Sequence, residues 1–439
     1  MSDQEPPPTA PGEWPVVGHT VPMLRAPLDA LQRWGRTEEG IVRLTVTGQQ
    51  FALVTDPGAT KAILATGADG YRKAAIVRDR LGRLQGGSLV LLEGDEWAKR
   101  RQLLQPAFSG EAVRAAGPLT TAAATRMVDQ WPTGQPVRAD KQLRTLSLSI
   151  LARALFGLEL RGERTPIHEA ADDILARLDP RSLSAYLPEW VPTPRNYRFR
   201  RAVATLHDRI DSLVTDAAAD GPGHNLLSVM LAAGLDADRI RDELIALLFA
   251  GYDSTATALS ATVGLLGEHP QVQAALRTEL EETLGGQQPT PATLDELPLL
   301  DAVVRESLRL YPPQYILFRE PVGSRTVRGY QLDPGTTVVL SPWVSQRSPR
   351  FWDAPDQFRP DRWREGAPAT DRPEFAYFPY GGGPRHCLGR RLAAQTIRLV
   401  VATVCQRRQL QLQGSLSVTA GPTLSLDAVE LRTFRDTEA

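Results

Sequence analysis

Phe378-Pro-Tyr-Gly-Gly-Gly-Pro-Arg-His-Cys387-Leu-Gly389 is the stretch on which the fold turns. Its three consecutive glycines, Gly381 to Gly383, let a backbone approach a flat ligand closely and take conformations closed to other residues. Helical spacing of apolar residues begins at Arg390 and runs to Arg407. Cys387 thus stands at the mouth of a helix, where exposed amides and the helix dipole favour thiolate. A thiolate so held is a metal ligand or a nucleophile. A lone cysteine behind a glycine-rich turn is more often an inert, buried thiol, so the rest of the chain has to decide between them.

Outward from that loop most of the chain is helical. Apolar residues recur at helical spacing over Glu96–Leu104, Glu111–Trp131, Leu143–Phe156, Tyr197–Ala219, Ala237–Leu266, Pro270–Leu284 and Leu294–Tyr311. Two regions read as strands. Ile41–Thr47 and Phe51–Thr55 flank Gly48 as a hairpin that stops at Asp56-Pro57, before a helix over Gly58–Ala65. Gln314–Leu340 is a second strand-rich patch, with turns at Gly329 and Asp333-Pro334-Gly335. Each region is too small to bury its own faces, so the two are expected to pair across the chain. The predicted fold is mainly α with a small β-rich region, preceded by a flexible Pro-rich lead over residues 1–13 and forming one domain over 14–439. The connector Leu187–Arg195, stiffened by Pro188, Pro192 and Pro194, reads as a turn or a lid between helices.

Composition narrows the function. The 439 residues carry 50 Lys+Arg against 51 Asp+Glu, a net charge of -1. Such a chain can bury a sizeable core but lacks the basic excess needed to neutralise many phosphates, so no nucleic-acid partner is expected. Cys387 and Cys405 are too few for a disulfide framework or a structural zinc site, which favours a reducing, cytoplasmic setting. The N-terminus lacks the basic flank and apolar run of a signal peptide. No stretch approaches the ~18 uninterrupted apolar residues of a spanning helix, so a soluble protein without a transmembrane anchor is expected.

The pattern Tyr380, Gly383, Arg385, Cys387, Gly389 resembles the haem-ligating loop of the cytochromes P450, the haem-thiolate monooxygenases, with Tyr380 where that family usually has Phe. The other motifs follow in the family's order, so the resemblance spans essentially the whole chain. Glu306 and Arg309, in Val304-Arg-Glu-Ser-Leu-Arg309, match its Glu-x-x-Arg helix, and Arg362, in Phe358-Arg-Pro-Asp-Arg362-Trp363, matches the residue that completes a Glu-Arg-Arg network supporting the cysteine loop. Trp97 and Arg101, at i and i+4 on one helical face, match its haem-propionate contact, and Arg319 and Arg385 are similar to its other propionate clamps. Buried carboxylates need such cations.

Ala250-Gly251-Tyr252-Asp253-Ser254-Thr255 matches the family's oxygen-binding kink, with Asp253 as the acid, Ser254 where threonine is usual, and Thr255 as a substitute hydroxyl. Glycine beside Asp, Ser and Thr is unfavourable inside a helix, and short polar side chains can bond back to carbonyls. An opening of the helix is therefore expected there. His386 reads as a surface residue rather than a second ligand, and Cys405 as core.

The resemblance implies haem b ligated by the Cys387 thiolate and a monooxygenation, in which one atom of O2 enters a C–H bond and the other leaves as water. It also implies electrons from a ferredoxin or flavodoxin with an NAD(P)H-dependent reductase, since no flavin or iron–sulfur segment follows the cysteine loop. Lys99, Arg100, Arg385, Arg390, Arg391, Arg407 and Arg408 are the cations expected to steer an acidic donor. A monomer is expected. The competing readings are a peroxide-driven peroxygenase and a non-enzymatic haem-binding sensor or carrier, and neither needs an acid and a hydroxyl at Asp253 and Ser254. Val90, Ala246, Phe249, Ala250, Ile316 and Leu317 are the substrate contacts implied, a sparsely charged set suited to a large apolar molecule. The runs Arg309–Leu317 and Pro334–Arg347 are similar to those of bacterial carotenoid ring hydroxylases. Hydroxylation of a β-ionone ring is the expected reaction, with fatty acids and terpenoids as alternatives.

Overall fold

The computed structural model describes residues 5–158, 165–178, 190–220, 226–364 and 372–435, and residues 187–189 of the expected connector lie outside them. The helices are α1 (Thr20–Arg25), α2 (Pro27–Trp34), α3 (Pro57–Lys61), α4 (Ala75–Gln85), α5 (Gly94–Leu104), α6 (Gly110–Ala115), α7 (Gly117–Asp129), α8 (Ala139–Phe156), α9 (Pro166–Leu178), α10 (Pro194–Asp220), α11 (Leu226–Ala232), α12 (Ala237–Glu268), α13 (Pro270–Leu284), α14 (Pro298–Leu310), α15 (Pro342–Ser345) and α16 (Arg390–Arg407). The strands are β1 (Ile41–Val46), β2 (Gln49–Val54), β3 (Tyr71–Arg72), β4 (Pro136–Arg138), β5 (Leu317–Pro321), β6 (Arg325–Val327), β7 (Tyr330–Leu332), β8 (Thr337–Leu340), β9 (Gln409–Leu412), β10 (Ser417–Ala420), β11 (Leu424–Asp427) and β12 (Glu430–Phe434). The fold is mainly α with small sheets, as the periodicity indicates. Two compact units share the chain: Met1–Gly82, Leu308–Phe358 and Pro368–Cys387 make the first, and Arg83–Ser307, Arg359–Ala367 and Leu388–Ala439 the second.

The first unit is built on a sheet ordered β1-β2-β8-β5-β3. β1 and β2 form the expected hairpin, Ile41 opposite Val54. β8 lies parallel to β2, with Phe51 opposite Thr337 and Val54 opposite Leu340. The two distant strand regions therefore do pair, and the long connection that a parallel pair requires is here most of the chain. Ile41, Ala52, Val54, Val338 and Leu340 share one buried cluster with Ile63, Leu64, Phe375 and Phe378, so the sheet packs on the residues that lead into the cysteine loop. Residues 5–13, expected to be flexible, are instead pinned to β1. The Pro8 carbonyl accepts from Arg43 N–H at 2.8 Å, Ala10 N–H donates to the Arg43 carbonyl at 2.9 Å, and Ala10 is buried. An edge strand leaves such groups open, and proline is tolerated along it.

The second unit is organised on α12, which packs against α8, α10, α16, β9 and β11. By length and composition α12 could cross a membrane, yet 72% of its apolar window is buried inside the protein, as in a core helix. The sheet ordered β4-β12-β9 and the β10-β11 hairpin escaped the sequence reading. Their strands are at most five residues long and rich in Ser, Thr and Gln, which is too short for a period to declare itself.

Candidate functional site

In the first unit, Cys387 N–H donates to the Tyr380 carbonyl at 2.9 Å and His386 N–H to the Gly383 carbonyl at 3.1 Å, closing the loop. Gly381 and Gly383 take φ of +69° and +64°, the left-handed region open to glycine. The protein's own packing also demands these glycines. A Cβ on Gly383 would collide with the Leu64 carbonyl, and one on Gly382 with the Phe375 ring. His386 Nδ1 lies 2.8 Å from the Gly383 carbonyl oxygen, which ties that ring to the loop. Neither cysteine is in a disulfide. Cys387 is exposed, whereas full burial pushes the Cys405 thiol up to about 12. Of the two, Cys387 is the one that an incoming ligand can reach.

The loop is braced from behind by Gln346, a residue the sequence reading passed over. It is fully buried, its Oε1 accepts from Phe378 N–H at 3.0 Å, and its Nε2 donates to the Leu308 and Arg309 carbonyls, each at 3.0 Å. Arg309 is also fully buried and donates to the carbonyls of Gln346 at 2.8 Å, Pro355 at 2.6 Å and Gln357 at 3.1 Å, with its guanidinium 5.0 Å from the Trp352 ring centroid. Gln346 and Arg309 thereby hold each other and connect the end of α14 to the start of the cysteine loop. The available signal was a glutamine following the apolar run Thr337–Val344, since a buried amide must find partners.

In the second unit, buried Glu306 collects three donors: Arg362 Nε at 2.9 Å and Arg359 N–H at 3.0 Å on Oε1, and Trp363 Nε1 at 2.8 Å on Oε2. The Glu306–Arg362 pair is the expected one. On α5 the Arg101 guanidinium lies 5.8 Å from the Trp97 ring centroid, as their i,i+4 spacing predicts. Arg100 turns inward and donates to Glu243 of α12 at 2.9 Å. Glu243 also accepts Leu89 N–H at 2.9 Å, and Asp242 accepts Gly87 N–H at 2.7 Å, so two adjacent carboxylates hold the segment that ends at Val90. Burial pushes the Glu243 carboxyl up, against the opposing pull of Leu89 N–H and Arg100.

The expected opening of α12 does not form, because the helix runs unbroken through residues 250–255. Ser254 Oγ donates to the Ala250 carbonyl at 2.6 Å, back-bonding without interrupting the ladder. Gly251 faces α8, where a Cβ would crowd the Leu151 side chain at 2.7 Å. Asp253 is buried and turned elsewhere: Arg144 Nη1 donates to its Oδ1 at 2.5 Å, and the Thr423 hydroxyl donates to its Oδ2. Arg144 also stacks 5.6 Å from the Tyr252 ring centroid, and the Tyr252 hydroxyl donates to Asp172 at 2.8 Å. Burial opposes the Arg144 charge, but Asp253, Tyr252 and Asp172 outweigh it and hold its pKa above the usual value. Successive helical residues diverge by about 100°, so Asp253 and Ser254 do not bond each other. Thr255 is buried beside them.

The family model for cytochrome P450 matches residues 6–421. The chain belongs to the cytochrome P450 family. Among its relatives, Protein LUTEIN DEFICIENT 5, chloroplastic, of Arabidopsis thaliana is 28% identical over 421 residues, covering 88% of this P450 and 70% of that protein. Pentalenene oxygenase of Streptomyces avermitilis is 28% identical over 419 residues, covering 93% and 92%. The heme domain of cytochrome P450DA matches with a TM-score of 0.89 at 24% identity over 98% of both chains, which shows the fold. This P450 is a monooxygenase whose cofactor is haem b held by a cysteine thiolate, and its donors fit that cofactor. Among the described residues no group of three or more His, Cys, Asp or Glu could cage an ion. A single exposed thiol suits iron whose other ligands would come from a porphyrin.

The other expected residues are placed unevenly. Arg319, on β5, is buried and donates to the Phe318 carbonyl at 2.9 Å, while Tyr380 and Arg385 are half-buried. A Cβ on Gly389, the N-cap of α16, would meet only ordinary contact with Phe108 at 3.5 Å. Val90, Phe249 and Leu317 are half-buried and Ala250 is exposed. Ala246 at 1% and Ile316 at 4% exposure offer no surface to a substrate. Two members of the expected basic face are corrected as well. Arg100 is buried against Glu243, and Arg408 is buried with its guanidinium on the Val128 and Trp131 carbonyls at 3.1 and 3.2 Å. Arg407 is paired with Asp129 at 2.9 Å, while Lys99, Arg390 and Arg391 stay exposed.

Proposed function

We propose that Cys387 is the iron ligand of this P450 and that the substrate is a large apolar terpenoid, namely a carotenoid hydroxylated on its β-ionone ring. The observation that supports the ligand is the exposed thiol at the mouth of α16, set against a Cys405 thiol that burial keeps protonated. Bound haem supplies the oxidising chemistry, by which one atom of O2 enters a C–H bond and the other leaves as water. Trp97, Arg101, Arg319 and Arg385, by their match to the family's motif, neutralise the propionates. Ser254 keeps a hydroxyl anchored on the Ala250 carbonyl, and Thr255, the next residue, adds a second. Asp253 lies between Arg144 and Thr423, which occupy its two oxygens. A side chain so held relays a proton only after releasing one of these partners, so Arg144 governs when Asp253 takes part. Electrons come from a ferredoxin or flavodoxin and its NAD(P)H-dependent reductase, steered by Lys99, Arg390 and Arg391.

Within the second unit, the apolar, incompletely buried residues Val90, Phe249 and Ala250 support the substrate class. The two relatives are named for a carotenoid and a terpene hydrocarbon. The test offers the holoprotein, with ferredoxin, reductase and NAD(P)H, β-carotene, a cyclic terpene hydrocarbon and a long-chain fatty acid. Ring-hydroxylated carotenoid is expected. Hydroxylated fatty acid alone would overturn the terpenoid class, and product from the small terpene alone would overturn the carotenoid. Persistence of the red-shifted Soret band of the ferrous carbon monoxide form in Cys387→Ala would overturn the ligand.

A further inference from the structure

The charges of α10 are ordered against its own dipole. Arg195, Arg198, Arg200 and Arg201 crowd its opening turns, and Asp208, Asp211 and Asp216 follow, with Arg209 the one cation among them. Its first turn holds no acidic residue and its last turn no basic one. A helix is favoured by the reverse order. Arg195, Arg198 and Arg201 are also spaced three apart, a row of like charge that costs a helix stability. The order therefore brings α10 nothing by itself.

The helix packs against α9 and α12, and Phe199, Ala202, Leu206, Ile210 and Val214 are buried. Tyr197, Arg201, Ala204, Asp208, Ser212 and Thr215 are all exposed. At about 100° per residue, their steps of three and four keep these six on one line, opposite the buried set. Tyr197 is 64% exposed, an aromatic ring left largely in water. Among the described residues neither Arg201 nor Asp208 has an ion-pair partner. The two stand equally far from the midpoint between Ala204 and Thr205. An antiparallel copy of the same face centred there sets Arg201 opposite Asp208 twice and Tyr197 opposite Ser212 twice. Ala204 falls at the centre, where its small side chain lets two helices approach.

We propose that the outward face of α10 joins two copies of this chain in a two-fold dimer, each α10 lying antiparallel on the other. A two-fold interface must be complementary to itself, and this face is so in charge. The antiparallel arrangement also sets the basic opening of each helix beside the acidic end of the other and opposes their dipoles. A uniformly acidic partner would satisfy Arg201 but repel Asp208, and a basic one would do the reverse. A partner with both charges in reversed order fits, and α10 turned end for end is one. A single helix pair gives an interface at the low end of specific contacts, so the dimer is concentration-dependent and stands in place of the monomer expected from the sequence.

Sedimentation velocity of the holoprotein over a range of concentrations tests it. The wild type should pass from monomer to dimer as concentration rises, and added salt should reverse this. Arg201→Asp, or Asp208→Arg, turns both attractive contacts into repulsive ones. Either should weaken the dimer by about tenfold or more while the haem spectrum and melting temperature stay put. Mixing the two variants restores opposite charges at both contacts, so the mixture should dimerise at concentrations where neither variant does alone. A wild type that stays monomeric throughout its soluble range, a dimer unmoved by both single variants, or a mixture that remains monomeric would each overturn the proposal.

Discussion

Gln346→Ala separates the bracing of the cysteine loop from the chemistry of the loop itself. Truncation strips the Gln346 acceptor from Phe378 N–H and the Gln346 donor from the Leu308 and Arg309 carbonyls. Phe378 is buried, so water does not replace the lost acceptor. A buried group left unsatisfied costs about 1–3 kcal/mol, and carbonyls at a helix end tolerate the loss better than an amide does, which places the total near 2–4 kcal/mol. Against a total stability of about 5–15 kcal/mol the variant still folds, but the cysteine loop is loosened. The matched control is Gln273→Ala in the second unit. Gln273 is also buried and also makes three such bonds, to the Leu266 and Leu410 carbonyls and from Leu410 N–H. Chemical denaturation should show comparable losses for the two variants. Transfer of haem to an apo-globin acceptor should accelerate for Gln346→Ala only. Equal haem-loss rates for the two variants, or a stability loss under about 0.5 kcal/mol for Gln346→Ala, would refute the bracing role.

Three further outcomes follow from named contacts. Burial pushes the Glu320 carboxyl up, but Arg72 at 2.6 Å, the Ala75 N–H at 3.2 Å and the Arg78 charge outweigh it and hold the group below its usual value. A depressed folded pKa contributes stability above the usual carboxylate range and loses it as pH falls through the folded value, so Glu320→Gln should flatten the acid limb of the stability–pH curve, and an unaltered limb would contradict the pairing. Arg144→Gln breaks a largely buried pair at a cost of about 3 kcal/mol and leaves Asp253 with Thr423. Product per NAD(P)H should fall while the haem spectrum is retained, and wild-type coupling would sever Arg144 from proton delivery. A thiol reagent at about pH 8 should label one cysteine in the native haem-free protein and both after unfolding; labelling of two in the native state would contradict the burial of Cys405.

What the sequence by itself determined follows its local periods. α13 and α16 begin and end where apolar spacing and the capping residues put them, at Pro270 and Leu284 and at Arg390 and Arg407, because helical bonds join residues four apart. The same period aligned Trp97 with Arg101, and the glycine run announced the left-handed turns before Cys387. Tertiary structure decided the rest. Asp253 faces Arg144 and Thr423 rather than Ser254, and Gly251 makes room for Leu151 rather than opening α12. Arg100 and Arg408 went inward while Lys99 and Arg391 stayed out. Gln346, Arg144 and the Asp242–Glu243 clamp carry no motif, and each bonds to groups more than thirty residues away. A buried polar group must be satisfied, but which distant donor or acceptor satisfies it depends on how the elements pack, and no local period encodes that.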